Sequence, residues 1–249
     1  MKTMKTMKTN KIFITLVFAL SFTSFIGNAQ DNPNKNTTLT SEQQSLVAIA
    51  ASTATGDLST LKAELIRGLE AGLTVNQIRE AIVHLYAYAG FPRSIRGLQT
   101  FMTVLDERKA KGINDVMGAD ASPIDDKRSK YDRGKAILDT LLGVPQTGPQ
   151  KGYAAFAPVI EVFLKEHLFA DIFERDVLTY AERELVTVSV LAGIGGVEPM
   201  LRSHLNISLN VGFSPEQLQQ FIRVIQTTVG KKKAKAAQRV LDELLVSSK

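Results

Sequence analysis

The feature of this 249-residue sequence that most limits its fold is an internal repeat. Residues 60–90 align with residues 200–230 without a gap, and seven positions are identical. In the first copy these are Leu61, Leu65, Leu69, Gly72, Gln77, Ile82 and Gly90. Only about two identities are expected from ordinary composition over this length. The chain therefore uses one structural unit twice.

The repeated unit has the pattern of a helical hairpin. In the second copy, three leucines spaced by four residues from Leu201 form one apolar stripe of a helix. Gly212 then suits the left-handed position that ends a helix. Ser214 begins a hydroxyl-capped restart with Pro at the first helical position. Gly72 and Thr74 repeat this stop and restart in the first copy.

Helix-start signals precede both hairpins. Thr40 and Thr179 are each followed three residues later by Gln or Glu, which is the capping-box pattern, and apolar residues follow. No stretch of the sequence shows strictly alternating polar and apolar residues between turn signals at strand spacing. We therefore predict an all-α fold of packed antiparallel hairpins.

The repeats predict how the chain is divided. We expect a first repeat at 40–110, a linker at 111–123 and a second repeat with leader helices at 124–249. Ser122-Pro123 is a further helix-start signal. The leader helices are predicted at 124–143 and 153–173, with a segment rich in Gly and Pro between them.

The N-terminus has the layout of a secretory signal peptide. Residues 1–29 contain four Lys, no acid and an apolar run from Ile12 to Leu20, with small residues before Gln30. Without those Lys the net charge falls from +5 to about +1, so we expect no nucleic-acid partner. The run is shorter than the roughly 20 residues of a membrane span. We predict cleavage before Gln30, a periplasmic or secreted chain, and no stable membrane insertion afterwards.

The sequence contains no Cys, which removes several kinds of site. A thiol nucleophile, a disulfide framework and a thiolate metal site are all excluded. The three His are scattered, and no two of them have metal-ligand spacing. We therefore predict neither a metal site nor a cofactor.

The second copy resembles a known family. Residues 178–212, LTYAERELVTVSVLAGIGGVEPMLRSHLNISLNVG, resemble the core of the carboxymuconolactone decarboxylase family, which is related to the AhpD-like alkylhydroperoxidases. Residues 64–98, with EAIVHLYAYAGFPRS, resemble the stretch that follows this core, and Tyr131 to Arg175 is similar to leader helices of the decarboxylase branch. The resemblance implies AhpD-like hairpins duplicated in one chain. It also implies a homo-oligomer, and a homotrimer would carry the six repeats of a single-repeat hexamer.

The resemblance also implies site residues. Members commonly hold a Glu near the start of one helix and a His on the next, and here Glu184 and His204 stand in those places. This implies His204 as general acid or base, with Glu184 orienting the imidazole. The AhpD-like branch adds two Cys before the His, but this chain has Val197 and Met200 there. Thiol-dependent peroxide reduction is therefore disfavoured.

The two copies differ at these positions. The first copy has Ser45 and Glu64 where the second has the acid and the imidazole. The family's Tyr-Ala-Gly-x-Pro turn, however, is present only in the first copy, at residues 88–92. We hypothesise that one pocket combines the acid and imidazole of the second copy with Tyr88 and His84 of the first as substrate-binding residues.

The function implied is a cofactor-free lyase or isomerase that acts on a small carboxylated lactone or a related acid. Arg202, chosen over Arg183, is the residue expected to bind the carboxylate of this small-molecule ligand. Two alternatives stay open. One is a non-enzymatic module that binds a small ligand, and the other is an antioxidant role, which the absence of Cys disfavours.

Overall fold

The computed structural model describes residues 37–247 and contains no strand in that range, which confirms the all-α prediction. The predicted signal peptide at 1–29 lies outside the described residues. Between residues 37 and 247, no helix is long and apolar enough to cross a membrane. The helices are α1 (Ser41–Thr55), α2 (Leu58–Glu70), α3 (Val75–His84), α4 (Tyr86–Ala110), α5 (Lys130–Leu142), α6 (Tyr153–Phe156), α7 (Pro158–Phe163), a π-helix (Leu164–Phe173), α8 (Tyr180–Ile194), α9 (Glu198–Asn210), α10 (Pro215–Val229) and α11 (Lys231–Ser247).

The repeat predicted from sequence is also present in the backbone. The capping boxes before α1, α3, α8 and α10 all form, so hydroxyl side chains satisfy the first free amides of these helices. Gly72 and Gly212 have φ angles of 107° and 108°. Gly90 and Gly230, at the next corner, have φ angles of 81° and 93°. Paired glycines therefore turn the chain in the same way in both copies.

Helices α1 and α8 pack against each other at the centre of the fold. Each supplies side chains to two hydrophobic cores, because residues all around these helices are buried. Val47 of α1 packs in the core of the second repeat, whereas Leu46 packs in the core of the first. In α8, Leu185 packs in the core of the second repeat and Val186 in the core of the first. The two repeats therefore share their central helices.

The segment between the repeats differs from the prediction. We expected a helix from residue 124, but α5 begins at Lys130, with Ser129 as its cap. Earlier in the chain, the predicted linker runs along the start of α3. The backbone amides of Val75 and Asn76 donate to the carbonyls of Val116 and Met117, both at 2.9 Å. The segment is thus used to satisfy the free amides of another helix.

The second predicted leader helix, 153–173, is broken into three pieces. Pro158 has no amide proton to donate, and the helix is interrupted at Ala157, with α7 starting at Pro158. A π-helix then carries the chain to Phe173. It packs closely on α5, since a side chain at Gly134 would collide with the carbonyl of Lys165. These leader helices form a third core, which touches α9 through Ile207.

Candidate functional site

The acid and imidazole of the second repeat meet between α8 and α9. The His204 Nδ1 atom lies 2.8 Å from Glu184 Oε2. Glu184 is fully buried, and the His204 side chain is 15% exposed. Among the described residues, His204 Nε2 has no hydrogen-bond partner. The carboxylate therefore fixes the ring through one nitrogen and leaves the other available.

Tyr88 of the first repeat packs directly on this imidazole. The ring centroids of Tyr88 and His204 are 5.7 Å apart, and the planes meet at 85°. Tyr88 lies in the short helical stretch of α4 before Gly90, whose positive φ allows the chain to turn there. The tyrosine hydroxyl is buried near Thr187 but makes no hydrogen bond of normal geometry. The structure thus places side chains of both repeats in one cluster within a single chain.

His84 is held in one protonation state by its neighbours. Its Nε2 atom lies 2.9 Å from the Thr187 hydroxyl. That hydroxyl already donates to the Arg183 carbonyl, so His84 Nε2 must be the donor. His84 Nδ1 then accepts from Arg183 Nη1 at 3.3 Å. Complete burial, with the nearby charges of Arg183 and His204, lowers the pKa of His84 well below 6.5.

An ion-pair network holds Arg183, the hydrogen-bond donor to His84, in position. Arg183 Nη2 donates to Glu80 Oε1 at 2.8 Å, and Arg175 donates to both oxygens of the same carboxylate. Burial alone would raise the pKa of Glu80, but the hydrogen bonds from the two guanidinium groups hold it below its usual value. Burial lowers the pKa of Arg183, opposed by Glu80. The network joins α3 of the first repeat to α8 of the second.

Unpartnered polar atoms concentrate in this region. Among the described residues, four buried side-chain atoms lack a hydrogen-bond partner, and three of them are Tyr88 Oη, Arg183 Nε and Glu184 Oε1. Burial and the neighbouring Glu184 raise the pKa of Tyr88, so its hydroxyl remains a neutral donor. Buried polar groups are nearly always paired in proteins. Two donors and one acceptor are therefore left without a protein partner in this cluster, and all three atoms are fully buried.

The comparisons with known proteins agree with this architecture. Residues 25–101 and 161–243 each match the sequence model of the carboxymuconolactone decarboxylase family. The chain belongs to this family. The two matched regions contain the two hairpins, so the carboxymuconolactone decarboxylase unit occurs twice. A comparison with curated proteins gave no match.

Not every residue predicted for the carboxymuconolactone decarboxylase-like site lies in it. His204, Glu184, Tyr88 and His84 form one cluster, but Arg202 is elsewhere. It donates to the Ser247 hydroxyl at 2.7 Å and lines an open cavity of about 430 Å³ near the end of α11. Arg183, ranked below Arg202 from sequence, is the arginine of the cluster.

Sequence reasoning missed the residues that support the site. Glu80 and Thr187 were not singled out, although each lies four residues from a member of the cluster on the same helix. That spacing, together with a polar residue in an apolar helix, is the signal that could have identified them. Within residues 37–247 there is no group of three or more acidic or imidazole side chains able to hold a metal ion.

The low pKa of His84 predicts acid sensitivity. The unfolded chain binds a proton at this residue near pH 6.5, but the folded chain does not until well below that value. The contribution of His84 to the free energy of unfolding should therefore be fully present above pH 6.5. It should decrease as the pH falls below that value, by at most about 1.4 kcal/mol per pH unit. Glu80 contributes only at lower pH, since its folded pKa lies below 4.5.

Urea unfolding at pH values on either side of 6.5 measures this effect. His84→Gln should flatten the dependence, whereas His167→Gln, on a half-exposed side chain, serves as the matched control. If the free energy of unfolding changed equally with pH in the wild type and in His84→Gln, the low pKa assigned to His84 would be wrong.

Proposed function

We propose that this chain is a cofactor-free lyase or isomerase that acts on a small carboxylated lactone or a related acid, with His204 as the proton-transfer group. The observation that carries the proposal is the hydrogen bond between Glu184 Oε2 and His204 Nδ1, which leaves Nε2 free on a ring that packs against Tyr88. A positioned imidazole of this kind is the usual group for general acid-base catalysis.

The proposed chemistry follows from where the protons lie. Glu184 accepts the Nδ1 proton, so neutral His204 carries its lone pair on Nε2 and can remove a proton from the substrate. Loss of carbon dioxide or a proton leaves an electron pair delocalised onto a substrate oxygen. Tyr88 would donate a hydrogen bond to that oxygen. In an isomerase reaction, the His204 imidazolium formed by removal of the substrate proton returns that proton to another carbon. In a decarboxylation, His204 enters the step as the imidazolium, donates its proton to the carbanion and takes another from solvent.

The carboxylate-binding role assigned to Arg202 from sequence is not retained in this proposal. Arg183 is fully buried beside the cluster, and its Nε atom is unpartnered. Its other nitrogens are held by Glu80, the Arg175 carbonyl and His84, so the guanidinium is fixed in position. A fixed positive charge in a buried site stabilises a developing anion more than a mobile surface one does.

Mass spectrometry of small molecules that co-purify with the wild type and with His204→Ala tests the proposal. We expect the two proteins to retain different acids that are related as substrate and product. The alternative, a binding module without catalysis, predicts the same molecule in both preparations. Incubation of the retained acid with fresh wild-type protein would then leave it unchanged.

We also propose that the chain assembles as a homotrimer. Several large apolar side chains of α6 and α7 are exposed in the single chain, including Phe156, at 92%, and Phe163. Exposed apolar patches of this kind usually mark an interface. Light scattering of the purified protein should give three times the chain mass, and Phe163→Glu should lower it. A wild-type monomer would contradict the proposal.

A further inference from the structure

A second cluster of reactive side chains lies apart from the His204 cluster. Tyr86 of α4 makes a hydrogen bond through its hydroxyl to His167 Nε2 of the π-helix. His167 Nδ1 lies 3.1 Å from Asp171 Oδ2, one helical turn further on. Lys130 contacts the other oxygen of Asp171 at 2.8 Å. None of these contacts involves Glu184 or His204.

The order of these groups fixes the direction of the hydrogen bonds. Burial would raise the pKa of Asp171, but hydrogen bonds from Lys130 and His167 lower it, so the carboxylate is an acceptor. His167 therefore donates from Nδ1, and its Nε2 accepts from the Tyr86 hydroxyl. Hydroxyl, imidazole and carboxylate then stand in the sequence that activates a nucleophile in hydrolytic enzymes.

The cluster is open to solvent and has an apolar surface beside it. The side chains of His167 and Asp171 are 51% and 36% exposed. Phe91 stacks on Tyr86 with ring centroids 4.4 Å apart and an angle of 16° between the planes, and it is 62% exposed. An aromatic group that approaches the Tyr86 hydroxyl can therefore lie against the exposed ring of Phe91.

We propose that Tyr86 is a nucleophile that accepts an acyl group from activated aryl esters of short carboxylic acids. The Tyr86 oxygen attacks the ester carbonyl as His167 Nε2 takes the hydroxyl proton. The bond from the carbonyl carbon to the aryl oxygen breaks, and the aryl oxide leaves with the proton from His167. The products are a phenol and an acylated Tyr86. This proposal does not depend on the function assigned to the His204 cluster.

The full-length protein treated with p-nitrophenyl acetate provides the test. We expect a burst of one equivalent of p-nitrophenol per chain and an acetyl group on Tyr86, located by peptide mass spectrometry. Tyr153 is the control, since it is 61% exposed, more than the half-buried Tyr86, but has no imidazole contact among the described residues. General-base assistance should make acetylation of Tyr86 about 100-fold faster than that of Tyr153.

Four variants decide the outcome. Tyr86→Phe keeps the stacked ring and should remove the burst, whereas Tyr153→Phe should not. His167→Gln and Asp171→Asn should slow acetylation of Tyr86 toward the rate of Tyr153, with an unchanged helical circular dichroism spectrum. Acetylation of Lys130 in place of Tyr86, or a Tyr86 rate that is unchanged in His167→Gln, would overturn the proposal.

Discussion

His204→Gln is expected to lower the turnover number about 100- to 10,000-fold, which is the usual contribution of a positioned general acid or base. Gln keeps a hydrogen-bonding side chain of similar reach toward Glu184 but cannot exchange a proton at neutral pH. The loss should therefore appear in kcat, with the KM nearly unchanged. The measurement is steady-state turnover of the acid identified by co-purification.

Arg202→Gln is the matched control for this experiment. Arg202 is on the same helix, but it contacts Ser247 and not the acid or the imidazole. We expect it to leave kcat unchanged. Glu184→Gln should also lower kcat, because the amide cannot stabilise the imidazolium ion. If His204→Gln turned over every accepted substrate at the wild-type rate, the proton-transfer role would be wrong.

Glu80→Gln is expected to cost about 3–5 kcal/mol of unfolding free energy, as is usual when one partner of a buried ion pair is removed. Glu80 is 4% exposed and receives hydrogen bonds from Arg183 and Arg175. Without its carboxylate, the Arg183 charge would be buried with no counterion. Urea denaturation, with folded and unfolded baselines, measures the difference.

The chain offers a solvent-exposed ion pair for comparison. Lys62 and Glu107 are 2.6 Å apart, and their side chains are 42% and 44% exposed. Because exposed pairs contribute at most about 1 kcal/mol, Glu107→Gln should change stability little. A Glu80 variant as stable as the Glu107 variant would show that the buried network is not needed to hold the repeats together.

Most of the fold could be predicted from local sequence patterns. Hydroxyl caps such as Thr179 and stop glycines such as Gly212 act within a few residues, so their effect can be read directly. The π-helix could not be predicted, because an apolar run does not distinguish it from an α-helix. The contact of Val116 and Met117 with the start of α3, about 40 residues earlier in the chain, could not be predicted either, since no local pattern indicates it.

The candidate site could be predicted only in part. The resemblance pointed to Glu184 and His204, and the turn after Tyr88 suggested that the first repeat takes part. Glu80 and Arg183 are in contact although they are 103 residues apart in the sequence. The pattern of residues within either helix does not predict that contact. Arg202 was chosen over Arg183 because sequence alone does not tell which of the two is buried.

The sharing of one cluster by two different repeats has an evolutionary consequence. In an assembly of identical single-repeat chains, both sides of every such cluster are encoded by the same gene segment. A mutation therefore changes both sides at once. Here position 88 is Tyr while its counterpart 228 is Thr, and position 204 is His while its counterpart 64 is Glu. The two-repeat chain has one complete cluster where two identical repeats would give two. Natural selection can therefore change the residues that each repeat contributes independently of the other.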